Sequence, residues 1–240
     1  MLALYHFGPV ANSLTPLLCL IEKGLDFDDR FLSSRNWEHH DPAFLAVNPE
    51  GMVPVLVHDD LVVTESTVIN EYLEDSFPGV PLRPQAPWLR AQMRVWTKYV
   101  DEHFCPALTV IGAHGATPFA SKIDKGEMSQ ILARMPNADV RRKWATVSQA
   151  GYSDEALEDA RARVQRVIQR MEDRLAGAGP WILGDAYSLA DIKLFSMAAG
   201  LERIVPDLCN ADLSPGVIAW LRRTEARPAV LNMHARSYAR

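Results

Sequence analysis

Apolar and polar residues along the chain follow two periods, and the change from one to the other divides it. Residues 2–7, Leu-Ala-Leu-Tyr-His-Phe, read as a short strand, and Gly8-Pro9-Val10-Ala11-Asn12 as a loop. From Ser13 onward, Leu14, Leu17, Leu18 and Ile21 recur at helical spacing, and Gly24 suits the C-terminal cap. Residues 25–32 resemble a second strand. Residues 53–57 and 61–64 flank His58-Asp59-Asp60 as a hairpin, and 65–77 read as a helix that stops at Pro78-Gly79. This β-α-β, irregular, β-β-α order describes a small α/β unit over residues 1–79.

Residues 80–87 hold three prolines in eight positions and read as a linker. Beyond it, over 88–240, almost every pattern is helical: 88–104 as one long segment, 154–175 with alternating charge on its outer face, 188–201, and 215–225. Residues 105–150 are less regular, broken by Gly112, Gly115, Pro118, Gly126 and Pro136. Tyr187-Ser188-Leu189-Ala190-Asp191-Ile192 has the form of a capping box. Ser188 can accept from the backbone of Asp191, whose carboxylate can return to Ser188, with Tyr187 and Ile192 as flanking staple. A buried helix needs such a start most, because water cannot reach its first N–H groups. The fold class expected is therefore α/β followed by all-α.

Composition narrows the function classes. At 240 residues and 48% hydrophobic content the chain can bury a sizeable core. No apolar run reaches the roughly 18 residues of a membrane span, and no basic segment precedes an apolar one at the start, so neither membrane nor secretion is expected. Cys19, Cys105 and Cys209 are odd in number and far apart, which argues against a disulfide framework or a zinc site and for a cytoplasmic protein with reduced thiols. Residues 1–80 contain 3 Lys/Arg and 13 Asp/Glu, whereas 81–240 contain 22 and 17. The halves are either two solvated surfaces of different sign or separate domains with attractive faces. No basic patch with interleaved aromatics speaks for nucleic acid.

The candidate chemistry gathers around Asn48-Pro49-Glu50-Gly51-Met52-Val53-Pro54. Pro54 stands where a strand should begin and cannot donate to a ladder, so the backbone of Val53 is free to pair with something else. Glu65-Ser66 then precedes a helical run. A free backbone edge, a carboxylate and a helix N-terminus together suit a small peptide bearing an amine and carboxylates, and glutathione is such a peptide. At the first helix, Asn12 and Ser13 either stabilise a thiolate through hydroxyl, amide and helix-dipole contacts or act only as N-cap. Tyr5, inside a strand, is expected to pack in the core. Cys19, six residues into a helix, is expected to be a buried structural thiol.

Val53-Pro54, Glu65-Ser66 and the Ser188-to-Asp191 box, in this order, resemble the cytosolic glutathione S-transferase superfamily, and the resemblance covers nearly the whole chain. Residues 7–13, 62–69, 71–75 and 94–98 are similar to phrases of bacterial lignin β-etherases of the LigF type. The resemblance implies a thioredoxin-like domain followed by a helical-bundle domain, with glutathione as co-substrate and no metal. It implies Ser13 and Asn12 at the glutathione sulfur, and Val53, with its neighbours Met52 and Pro54, pairing with the cysteinyl backbone. Glu65 would hold the γ-glutamyl amine, Ser66 the γ-glutamyl carboxylate, and His40, with His39 behind it, the glycyl carboxylate. Asp101 or Glu102 would reach the amine across a dimer interface, homodimeric or heterodimeric. Trp96, Tyr99, His103 and Phe104, with small and apolar groups from 107–119, would form the pocket for an aromatic ether. The reaction implied is cleavage of a β-aryl ether by thiolate attack at Cβ. A general glutathione transferase or isomerase, and a non-catalytic binding protein that keeps the fold, are the alternatives.

Overall fold

The computed structural model describes residues 1–177 and 179–238; position 178 and the last two positions of the expected helical domain lie outside the described residues. The first part is a four-stranded sheet in the order β2-β1-β3-β4. β1 (Leu2–His6) runs parallel to β2 (Asp28–Phe31) and antiparallel to β3 (Val55–His58), which pairs antiparallel with β4 (Leu61–Thr64) through the expected hairpin. Asp59 takes the positive φ (53°) that this two-residue turn requires. β1 alternates as a half-covered strand should: Leu2, Leu4 and His6 are buried, whereas Tyr5 points the other way onto Phe44 of the short helix α2 (Pro42–Leu45), with ring centres 5.5 Å apart.

α1 (Ala11–Glu22) packs against α3 (Ser66–Ser76) in a thioredoxin-like arrangement. α1 ends where Gly24, at φ 65°, turns the chain. The expected strand at 25–32 is confined to Asp28–Phe31, and β3 starts at Val55 rather than Val53. The Val53–Pro54 peptide is cis, and Val53 precedes the ladder.

Helices make up the second part: α4 (Pro87–Tyr99), α5 (Cys105–Gly115), α6 (Thr117–Ala120), α7 (Lys125–Arg134), α8 (Ala138–Val147), α9 (Asp154–Leu175), α10 (Leu189–Ala198), α11 (Leu201–Ile204), α12 (Pro215–Glu225) and α13 (Pro228–Ala235). Two expectations need correction. The irregular stretch 105–150 is four helices, and α7 and α8 each carry a side-chain N-cap, Asp124 and Asn137. The long segment 88–104 is not uniform: Val100–Phe104 forms a π-helical turn in which the Cys105 N–H bonds the Val100 carbonyl. Pro106 explains it. A proline ring clashes with the carbonyl four residues back, and widening the turn by one residue relieves the clash. No described helix is long and apolar enough to cross a membrane.

α10 is buried at every position and packs against α1 and α4. Its start is the predicted box. The Ser188 N–H and Oγ–H both donate to Asp191 Oδ2 (3.0 and 3.1 Å), and Ser188 Oγ accepts from the Ala190 N–H. Asp191 also accepts from the Ile182 N–H at 3.0 Å and from Trp220 Nε1 at 2.9 Å. Burial pushes the Asp191 carboxyl upward, but four donors and no acceptor face it, so a proton has no place there. Tyr187 packs on Trp181 and beneath Arg227. The stretch expected as linker is tied at Leu82 and Arg83 to both parts of the chain. Glu74 accepts from the N–H groups of Leu82 and Arg83, and the Leu82 carbonyl accepts from the Leu189 N–H.

Replacing Asp191 with alanine strips one acceptor from four buried donors. We expect a loss on the order of 4 kcal/mol in denaturant unfolding, against about 1 kcal/mol for an exposed N-cap such as Ser153→Ala.

Candidate functional site

The site lies where the N-terminal turn of α1 meets α5, α8 and α10. Its scaffold is the bend after β1. His6, fully buried, accepts the Gly8 N–H at Nδ1 (2.9 Å) and is joined through Nε2 to Asp29 (2.6 Å). Asp29 also receives Arg236 (2.8 Å) and the Tyr238 hydroxyl (3.1 Å), and Tyr238 stacks on Phe31. Burial pushes the Asp29 carboxyl upward, but the contacts from His6, Arg236 and Tyr238 outweigh it and hold the carboxyl below its ordinary range. The loop that opens α1 is thus fixed from beneath by the end of the chain.

α1 starts two residues before Ser13. Val10 stands at the N-cap and no side chain caps this end, so Asn12 and Ser13 are residues of the first turn rather than caps. Their N–H groups have no acceptor within the helix. Ser13 is buried, and its Oγ accepts the Phe7 N–H at 3.1 Å, which leaves its own hydrogen to donate. Asn12 turns inward, with Oδ1 receiving Lys193 Nζ of α10 at 2.9 Å and Nδ2 facing Cys105 Sγ at 3.6 Å.

A second group of predicted residues lies at the β3–α3 region. Asn48 Nδ2 holds the Met52 carbonyl at 2.8 Å, just before Val53-Pro54. Glu65, at the N-cap of α3, takes φ 67°, a conformation that side chains other than glycine rarely adopt. Ser66 is buried, and its Oγ accepts from Lys193 Nζ at 3.0 Å. His40 is buried beside Trp37 and His39, and neither ring nitrogen has a hydrogen-bond partner. Burial draws its pKa down, so the ring is neutral at pH 7. A side chain at Gly51 would meet His40 Nδ1 at 2.8 Å, so this close approach requires glycine. Asp101 lies on the turn that follows α4. It pairs with Lys193 at 2.7 Å and accepts from Thr67 Oγ1 at 2.7 Å, both within the same chain.

Beside the first turn of α1 opens a cavity of about 550 Å³. Pro9, Val10 and Ala11 form one wall, and α5 supplies Cys105, Leu108, Thr109, Gly112 and Ala113, a stripe at helical spacing that continues to Ala116. Lys143, Trp144, Arg203 and His234 add polar and aromatic groups. None of Trp96, Tyr99, His103 and Phe104 lines this cavity. Trp96 and Tyr99 face α9, with the Arg170 guanidinium 4.6 and 4.1 Å from their ring centres; the His103 ring lies 4.7 Å from that of Tyr99, tilted by 50°; and Phe104 is in the core. The π turn is the reason: one extra residue rotates everything after it by about 100°, so the face carrying Tyr99 is not continued by α5. Cys19 is fully buried and its thiol is pushed well up, chiefly by burial, which makes it an inert core residue.

Lys193, Lys143, Arg203 and Cys105 are site residues that the sequence reading did not single out. Lys193 had a signal, as the only basic residue in the apolar run Leu189–Ala198. Lys143 has no carboxylate within ion-pair distance among the described residues, and burial draws its pKa down.

With this geometry the comparisons agree. Residues 1–75 match the family model of the glutathione S-transferase N-terminal domain, and residues 154–223 that of the glutathione S-transferase C-terminal domain. The chain belongs to the glutathione S-transferase family. It is 44% identical to Protein LigF of Sphingobium sp. (strain NBRC 103272 / SYK-6), over 98% of this chain and 94% of that protein. The crystal structure of beta-etherase LigF from strain SYK-6 superposes with a TM-score of 0.94, covering 98% and 99% of the two chains at 43% identity. Glutathione S-transferase F14 of Arabidopsis thaliana is 30% identical over 94% of this chain and 80% of that protein. A maleylacetoacetate isomerase from Methylobacterium extorquens AM1, solved with glutathione and malonate, matches at TM-score 0.68 and 25% identity, over 97% and 95% of the chains.

Because the folded pKa of Asp29 lies below its unfolded value, its stabilisation is present at neutral pH and is lost as pH falls through the folded pKa. We expect Asp29→Asn to melt at a lower temperature than wild type at pH 7, with the gap closing in acid below about pH 3.9. Melting curves of both proteins across pH check this.

Proposed function

We propose that the protein is a glutathione-dependent β-etherase acting on α-keto β-aryl ethers of the kind derived from lignin. The observation that carries the reading is the cavity beside Asn12 and Ser13, with its apolar α5 wall and two cations, joined to a fold 44% identical to Protein LigF. Its volume suits a two-ring aryl ether. Glutathione would lie along Val53, with its γ-glutamyl end at Glu65 and Ser66 and its sulfur at the first turn of α1. His40 remains our candidate for the glycyl carboxylate.

In the reaction, the thiol loses its proton to solvent and the thiolate attacks Cβ. The S–Cβ bond forms as the Cβ–O bond breaks, and the electron pair departs with the aryl oxygen. The resulting phenolate takes a proton from solvent, so the products are a thioether and a free phenol such as guaiacol. The adjacent ketone activates Cβ. Negative charge therefore passes from the sulfur to the leaving aryl oxygen in this one displacement, and the adjacent carbonyl shares part of it in the transition state. Lys143, half-buried, and Arg203, exposed at the rim, are the cavity cations able to stabilise it. We read the protein as cytoplasmic. We read it also as a dimer through β4, α3 and α4, where Val62, Val68 and Val95 are exposed and the Glu71–Arg94 pair sets α3 beside α4.

Each enantiomer of a keto guaiacylglycerol-type β-ether, incubated with and without glutathione, should separate the readings. Glutathione-dependent release of guaiacol and thioether in equal amounts is expected. Release from neither enantiomer, by protein that turns over chlorodinitrobenzene, would instead favour a general transferase. Binding of glutathione without turnover of any electrophile would favour a binding protein. Lys143→Met should lower kcat for the ether on the order of 100-fold while leaving glutathione binding intact. It should also raise the melting temperature modestly, because it removes a half-buried charge that has no carboxylate partner among the described residues.

A further inference from the structure

We propose that Lys193 is the positioning residue of the glutathione site. From the helical domain, its single ammonium sets the donor direction of Asn12 at the sulfur and of Ser66 at the γ-glutamyl carboxylate. This rests on the functional reading above and adds the group that organises it.

Lys193 is buried, with 1% of its surface exposed. Its ammonium donates to Asn12 Oδ1 of α1 at 2.9 Å and to Ser66 Oγ of α3 at 3.0 Å, and forms an ion pair with Asp101 Oδ1 of the π turn at 2.7 Å. An ammonium only donates. The carboxamide of Asn12 can therefore meet it only through oxygen, and Nδ2 must point the other way. That nitrogen already faces a sulfur, Cys105 Sγ at 3.6 Å, on the wall of the cavity. The same logic applies to Ser66. Its oxygen receives Lys193, so its hydrogen is released for an incoming carboxylate at the start of α3. With both orientations held by one buried cation, neither side chain needs to reorganise when the peptide binds.

The charge matters as well as the direction. Lys193 is one amide group behind the position of the sulfur, so it favours thiolate over thiol. Asp101 offsets part of that charge but is partly exposed, with 41% of its side chain accessible, whereas Lys193 is not. Glu71, which borders a small pocket together with Lys193, is engaged by Arg83 and Arg94. Sequence separation hides the arrangement, for Lys193 is 181 residues from Asn12 and 127 from Ser66.

Two variants test it. Lys193→Gln is neutral and carries both a donor and an acceptor, so it no longer dictates which way Asn12 faces. Lys193→Met removes the donors altogether. The readout is the thiolate absorbance of bound glutathione as a function of pH, with glutathione affinity and melting temperature measured alongside. We expect both variants to raise the pKa of the bound thiol by about one unit, a roughly tenfold loss of thiolate at neutral pH, and to weaken glutathione binding. In an Asn12→Ala background the substitution should keep only the smaller part of the shift that its charge carries through space and lose the part relayed by the carboxamide, a reduction that a merely structural role would not produce. An unchanged thiol pKa and affinity in folded variants, or a full shift in the Asn12→Ala background, overturns the proposal. A crystal structure of the wild-type complex decides independently of how the variants fold: the sulfur is expected within about 3.6 Å of Asn12 Nδ2, and a sulfur beyond its reach overturns the assignment. Wild-type protein that fails to bind glutathione at all would instead fail the functional reading itself.

Discussion

The carboxylate of Asp191 sets the terms for the rest of the molecule. A helix buried on every side must satisfy its first N–H groups without water, and a buried charge must be surrounded by donors. Asp191 meets both needs together, drawing in Ser188, Ile182 and Trp220, and so fixes the height and rotation at which α10 enters the core. Lys193 stands two residues further along this helix. Its reach to Asn12 and Ser66 depends on that entry, and on the strap from Glu74 through Leu82 to Leu189 that keeps the two parts of the chain in step.

The uneven charge of the chain becomes intelligible in this frame. Residues 1–80 are strongly acidic, yet they carry the backbone edge and helix ends to which an anionic peptide would bind. The cations near those positions, Lys193, Lys143 and Arg203, all come from the second part. Arg134 with Asp41, Asn137 with Glu50, and Trp144 with Trp37 further bind α7 and α8 to the loop that carries His40. The acidic part supplies direction through its backbone, and the helical part supplies charge. Neither is complete alone.

Much of this was legible in the sequence, and the division has a physical basis. Features written in neighbouring residues were readable: the sheet and its hairpin, the turn at Gly24, the proline-rich join, α9, and the Ser188–Asp191 box. Features written across distance were not. The role of Lys193 depends on partners more than a hundred residues away. Asn12 was taken as standing before its helix because Gly8-Pro9 reads as a loop, whereas Ala11 adopts φ 44° and starts the helix earlier. The helices between 105 and 150 were obscured by Gly and Pro that lie at their ends or first turns. Trp96, Tyr99, His103 and Phe104 read as part of one uniform segment over 88–104, whereas the π turn at Val100–Phe104 breaks that repeat and none of the four lines the cavity.

That break in the helix has a wider meaning. The turn at Val100–Phe104 works as a frameshift in three dimensions. Loss of a single residue there would leave every cavity-lining side chain in the chain but present a different set of them to the cavity. A column-by-column alignment that closes such a one-residue gap in the wrong place would pair residues that face opposite directions. Among relatives that differ in this turn, substrate range can therefore diverge through one insertion or deletion, with no substitution in the pocket itself.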